Sequence, residues 1–179
     1  MKDGTSEKIL RAASGLFANR GVPGTSLGDI AKEVGISKGT LYYYFPTKQD
    51  VVSAVSESCL SAIGDKLFAW VDSVSADIGA ETCLDGLCDA LLGERELLRV
   101  FIALNNVVEP ESELEAALDH AMSEWNIMIE VGSLRMEQDA AVKMKRMTAA
   151  ILPFLCGLAA LNADSDYAKQ AFSALVLGQ

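Results

Sequence analysis

Histidine is nearly absent from this chain, with His120 the sole example, and the four cysteines, Cys59, Cys83, Cys88 and Cys156, show no Cys-x-x-Cys spacing. A zinc site needs clustered thiolates and imidazoles, so no metal is expected, and the cysteines read as reduced thiols packed in a helical protein. A redox role for the pair Cys83 and Cys88 stays open as an alternative. One histidine also leaves no nucleophile-base-acid set, and there is no Gly-Lys-Ser/Thr phosphate loop, so the chain is not expected to be an enzyme or to carry a cofactor. Long apolar runs are missing too. The longest, residues 149–161, falls short of the roughly 20 residues needed to cross a bilayer, and the first residues lack the apolar core of a signal peptide. A cytoplasmic protein without membrane contact is expected. No low-complexity tract, internal repeat or Gly/Ser/Pro linker interrupts the 179 residues, half of which are hydrophobic.

Charge is unevenly divided. The net charge is −10, yet residues 1–50 carry seven Lys/Arg, including Lys2, against five Asp/Glu, while residues 51–179 carry eight against twenty. A polyanionic partner is therefore plausible only at the N-terminal end, and the acidic remainder would repel it and help orient the molecule.

Helical signals fill the chain, and β-branched alternation never persists long enough to predict a strand. Ile9, Leu10, Ala13, Leu16 and Phe17 predict a first helix over 6–20, stopped by Gly21. Ser26 followed by Asp29 is a capping box that opens a helix at Leu27, with Ile30, Ala31 and Val34 inward and Gly35 as its stop. Ser37 then caps a short helix over 38–45, because Pro46 disfavours helical geometry at the residue before it. Two short helices about a glycine-bearing turn form a helix-turn-helix. Leu41 and Phe45 share one face of the second helix, and the run Tyr42-Tyr43-Tyr44 fans over roughly 200° of the wheel, more than a half-buried stripe covers. Tyr43 should face outward beside Lys38, Gly39 and Thr40. Tyr44 can serve either the core or the outer face.

Thr47 and Asp50 form another capping box and predict a long helix over 48–74, whose first residue, Lys48, sits at the positive end of the helix dipole. Further helices are predicted over 80–92, 94–105 and 111–131, with a turn at 132–138. Asp139 would then cap a helix to residue 162, and Asp164 or Ser165 would start the last one. Pro153 should bend the penultimate helix, whose 149–161 portion is apolar all round and needs cover on every side.

The segment Ala13-Ser-Gly-Leu-Phe17, Thr25-Ser26, Asp29-Ile-Ala31, Val34-Gly-Ile-Ser-Lys-Gly-Thr-Leu-Tyr-Tyr42-Tyr43 and Phe45-Pro-Thr-Lys48 resembles the DNA-binding region of the tetracycline-repressor (TetR) family of bacterial regulators. The resemblance covers about residues 6–55. Three positions depart from the family's habit: Tyr44 where histidine is common, Val22 where an aromatic is common, and Gly28 where a longer polar residue often sits.

The resemblance implies an all-α chain of about nine helices, with a three-helix DNA-binding domain over 1–46 and a helical ligand-sensing and dimerisation domain over 47–179. It implies a transcriptional regulator, most simply a ligand-responsive repressor, that binds a double-stranded palindromic operator as a homodimer. DNA contacts are assigned to Thr25, Ser26, Ser37, Lys38, Gly39, Thr40, Tyr42, Tyr43, Tyr44 and Lys48. A pocket for an unknown small-molecule effector is assigned to Ile63, Leu67, Trp70, Phe101, Met122, Trp125 and Met128. The subunit interface is assigned to Ala149, Pro153, Gly157, Ala160, Leu161, Ala168, Phe172 and Leu175, whose small members would let helix pairs approach closely. A helical protein-binding adaptor is the competing class, and salt-sensitive binding of DNA would separate the two.

Overall fold

The computed structural model describes residues 4–75 and 77–178; Lys2, one of the seven N-terminal cations, lies outside them. Nine helices occur among the described residues, and no strand: α1 (Gly4–Arg20), α2 (Leu27–Val34), α3 (Lys38–Tyr44), α4 (Lys48–Ser73), α5 (Ala80–Leu92), α6 (Arg95–Asn105), α7 (Glu113–Ser133), α8 (Gln138–Ala160) and α9 (Ser165–Leu177). They divide into two compact units. The first comprises residues 1–61 and 99–118, and the second residues 62–98 and 119–179.

In the first unit the predicted apolar stripes are the core. Ile9, Ala13 and Phe17 of α1, Ile30 of α2 and Leu41 of α3 are each fully buried, and Val51 of α4, which belongs to no predicted stripe, joins them, whereas Leu10 and Val34 are only half-buried. α2 packs on both α1 and α3. Gly21 ends α1 with φ 73°, a left-handed conformation that costs glycine nothing, and its N–H donates to Phe17 O at 2.9 Å. α7 starts at Glu113 rather than at 111, because Glu111 itself is left-handed at φ 60°. The Ser112 hydroxyl accepts from Glu115 N at 3.1 Å, while the Glu115 carboxylate accepts from Glu111 N at 2.6 Å. That reciprocal pair places the cap at Ser112, inside the acidic run.

The second unit is built on α5, which packs against α8 and α9; Leu84, Leu87 and Leu91 of α5, Leu155 of α8 and Phe172 of α9 are all fully buried. Phe154 stacks on Phe172 with centroids 6.1 Å apart. Trp70 is its fixed point on α4: the indole N–H donates to Cys83 O at 2.8 Å, and the ring lies so close to α7 that a Cβ on Gly132 would stand 2.4 Å from it. The predicted turn at 132–138 is corrected accordingly. Gly132 is a point of close approach inside α7, the helix runs on to Ser133, and the Arg135 guanidinium beyond it donates to Val71 O at 2.8 Å. α8 begins at Gln138 with Glu137 at its cap and no side-chain capping bond, so Asp139 lies in the first turn instead of capping it. Asp164 does cap α9, accepting from Asp166 N and Tyr167 N. Surface ion pairs join Asp89 to Lys169 at 2.8 Å, Glu130 to Lys145 at 2.7 Å and Glu94 to Lys66 at 2.7 Å.

Cover on every side of α8 is not met within one chain. Ile151, Leu152, Leu155, Cys156, Leu158 and Ala159 are buried, but Ala149, Ala150, Pro153, Gly157, Ala160 and Leu161 are exposed along one face. Pro153 lies inside the helix and on this outer face. Among the described residues no helix is long and apolar enough to cross a membrane.

Candidate nucleic-acid interface

Local chemistry fixes the helix-turn-helix at each end. Ser26 and Asp29 complete the capping box, with Asp29 N donating to Ser26 Oγ at 3.1 Å and Ser26 N donating to the Asp29 carboxylate at 2.9 Å. Hydrogen bonds from the Ser26 hydroxyl and then its backbone N–H hold the Asp29 carboxyl below its ordinary pKa of 3.8. Gly35 closes α2 at φ 76°, and both its N–H and that of Ile36 return to Ala31 O at 3.0 Å. Ser37 Oγ accepts from Thr40 N at 3.0 Å and starts α3. Bonds from the N–H groups of Ser26, Asp29, Gly35, Ile36 and Thr40 therefore hold the turn from within and aim α3.

Anchored by Leu41 at 0 % and Phe45 at 8 % exposure, α3 turns the rest of its surface outward. Lys38, Gly39 and Thr40 are exposed; Tyr43 is 83 % exposed and Tyr42 49 %. Tyr44 is half-buried and meets the edge of Tyr43 at 5.3 Å with planes at 87°, so it steadies the outward ring. A Cβ on Gly39 would meet nothing closer than Ser37 Oγ at 3.7 Å. The chain's own packing does not demand glycine there, and its bareness leaves room for another molecule's backbone.

Thr25 differs from its assignment. It is 2 % exposed and its hydroxyl donates to Gly21 O at 3.0 Å, so its side chain braces the α1–α2 turn from inside. Ser26 and Ser37 are exposed but committed to their caps. Lys48, the first residue of α4, is half-buried behind the Thr47–Asp50 capping box, in which Thr47 N donates to the Asp50 carboxylate at 2.8 Å. Gly28 is a member that periodicity did not single out for this purpose. A Cβ there would stand 3.1 Å from Lys38 Cε and 3.4 Å from its Nζ, so the Lys38 side chain lies over bare α2 backbone.

Of the residues assigned to an effector pocket, Ile63, Leu67, Trp70 and Trp125 are buried in the second unit, with Met122 and Met128 half-buried there, while Phe101 is buried in the first. None of the seven lines either of the two cavities described in the first unit. Among the interface residues, Ala149, Pro153, Gly157, Ala160, Leu161 and Leu175 lie on the exposed face, and Leu161 is 80 % exposed. Ala168 and Phe172 are fully buried in their own chain, so they support α9 from behind and offer a partner no surface. The thiols are poorly placed for redox work. Burial, helped by Asp85 and Asp89, pushes Cys88 up to about 12; burial also raises Cys83, and lifts Cys156 to about 11. Such thiols hold almost no thiolate near neutral pH.

Residues 9–55 match the family described as bacterial regulatory proteins, tetR family. The chain is 30% identical over 124 residues to the uncharacterized HTH-type transcriptional regulator YvdT of Bacillus subtilis (strain 168), covering 68% of this chain and 58% of that one. It is 28% identical over 125 residues to the biofilm operon icaADBC HTH-type negative transcriptional regulator IcaR of Staphylococcus epidermidis, covering 67% and 62%. The matches thus span less than two thirds of either relative. Among solved structures, a TetR-family transcriptional regulator from Mesorhizobium loti superposes with TM-score 0.74 at 20% identity, over 98% of this chain and 94% of that one. A transcriptional regulator from Saccharomonospora viridis in complex with choline superposes with TM-score 0.76 at 19% identity, over 97% and 96%. The segment that carries the capped helix-turn-helix, residues 9–55, belongs to the tetR family of bacterial regulatory proteins, and the helical fold is shared with solved structures over nearly the whole chain.

Proposed function

We propose that the chain is a repressor that binds double-stranded DNA as a homodimer and releases it when a small molecule binds. The observation that carries the DNA-binding part is the outer face of α3, where Lys38, bare Gly39, Thr40 and the 83 %-exposed Tyr43 stand together on a helix whose geometry is fixed by internal caps. A helix so presented suits the major groove, with Lys38, Gly39 and Thr40 near base edges and Tyr42, Tyr43 and Lys48 on phosphates, while Ser26 spends both its donors on Asp29. The relation to IcaR, described as a negative regulator, favours repression. A regulator reading bacterial DNA works in the cytoplasm.

Dimerisation rests on the exposed α8 face. Ala149, Pro153, Gly157, Ala160 and Leu161 form an apolar strip poor in bulk, and a second copy laid across it would bury the strip against itself. Effector response rests on α4, one continuous helix whose residues 48–61 belong to the first unit and 62–73 to the second. In this scheme residues 1–46 read DNA and 47–179 sense and dimerise. A ligand acts only through unequal affinity for the DNA-competent and DNA-incompetent states, so ligand and operator should antagonise each other reciprocally.

The deciding experiment is retardation of DNA from the region upstream of the protein's own coding sequence, titrated against salt. Saturable, salt-sensitive binding to a palindromic segment at two chains per site is expected. Binding that is indifferent to salt, or capture of protein partners alone, would favour the adaptor class.

A further inference from the structure

A cavity of ≈ 340 Å³ lies wholly within the first unit, between the start of α4, the turn after α1 and the α6–α7 loop. Val22, Val52, Val107 and Leu114 give it apolar walls. The same space is lined by one cation, Lys48, and one anion, Glu109. Neither side chain makes a hydrogen bond or ion pair with a described residue, so the two charges line one small cavity without answering each other. The volume is that of a small-ligand pocket, at the lower end of the range of roughly 300–1,000 Å³.

The complement of such a space carries both charges and an apolar body. A purely anionic ligand would face Glu109 with a like charge, a purely cationic one would face Lys48, and a hydrocarbon would leave both charges facing apolar matter. We propose that this cavity binds a small zwitterion of the α-amino-acid class with an apolar or aromatic side group. Its carboxylate meets the Lys48 ammonium, its ammonium meets the Glu109 carboxylate, and its side group lies among the valines and Leu114. The site shares no residue with the effector pocket assigned to the second unit. Occupancy would also engage Lys48, which is proposed above to contact phosphate. The binding itself does not rest on that proposal and is measured without DNA.

The test is a titration of the full chain, followed through the ¹³C-methyl NMR signals of Val22, Val52, Val107 and Leu114. The probes are L-phenylalanine, phenylalaninamide, which lacks the carboxylate, and 3-phenylpropanoate, which lacks the ammonium. Saturable shifts at these methyls with L-phenylalanine are expected, with each single-charge relative about tenfold weaker. Lys48→Gln and Glu109→Gln should each weaken L-phenylalanine by a similar factor. Glu109 is exposed on a loop, so its replacement does not endanger the fold. Val107→Trp, which fills the cavity, should abolish the shifts. The proposal is overturned if no saturable shift occurs at these methyls up to about 20 mM. It is equally overturned if both charge variants bind as the parent does, or if the shifts survive in Val107→Trp.

Discussion

Single side chains at the helix-turn-helix divide into those that shape it and those left over for a partner. Lys48 belongs to the second group. Lys48→Ala should weaken every DNA site alike and lower the slope of log affinity against log salt by about one; an unchanged slope in a folded variant would remove Lys48 from the phosphate contacts. Asp29 belongs to the first group. Its folded pKa lies below its unfolded value, so its contribution to stability is present above the unfolded pKa and disappears as pH falls through the folded one. Ser26→Ala removes the first of the two hydrogen bonds that depress it. The Asp29 carboxyl, followed by NMR, should then titrate closer to 3.8, and α2 should lose stability chiefly on the neutral side of that titration. An unmoved Asp29 titration would mean that the capping box is not formed in solution.

Helices were largely legible beforehand where their ends carry chemistry. Ser26-x-x-Asp29, Thr47-x-x-Asp50, Gly21 and Gly35 are local signals, readable because each acts within three or four residues of itself. Tyr43 could be placed outward by angle alone. What could not be read depends on approach between segments far apart in the chain. Gly132 looks like a helix stop until the Trp70 ring is laid against it, and Gly28 is only a departure from the family's habit until Lys38 crosses it. The opposed Lys48 and Glu109 share a cavity although 61 positions separate them, and no periodicity records that. Gly132→Ala tests the first of these. The added methyl would sit 2.4 Å from a buried indole, and this overpacking should outweigh the gain in helix propensity and destabilise the chain by about 2 kcal/mol. A denaturant midpoint equal to the parent's would show that the ring can step aside.

At the scale of the whole molecule, the outer face of α8 is the apolar surface that its own chain leaves uncovered. A Cβ on Gly157 would meet nothing within 4 Å in its own chain, so Gly157→Arg can be made without disturbing the monomer's core. If a second copy lies on this face, the variant places an unpaired charge in the interface at a cost of several kcal/mol. Sedimentation should then show a monomer or a much weaker dimer, with operator affinity falling in step. A variant that stays dimeric and binds operator like its parent would move the interface elsewhere.

That same bare strip of Ala149, Pro153, Gly157 and Ala160 carries a consequence for heredity. It lies on a different unit from α3, so if a second copy binds there, a chain with a ruined α3 keeps an intact pairing face. Such a chain, made alongside the normal one in equal amount, would pair with it at random, leaving about a quarter of the dimers with two sound heads. Lesions in α3 should therefore be dominant in a cell carrying both alleles. Lesions at Gly157 should be recessive, because they withdraw their product from pairing and leave the normal chains to find each other.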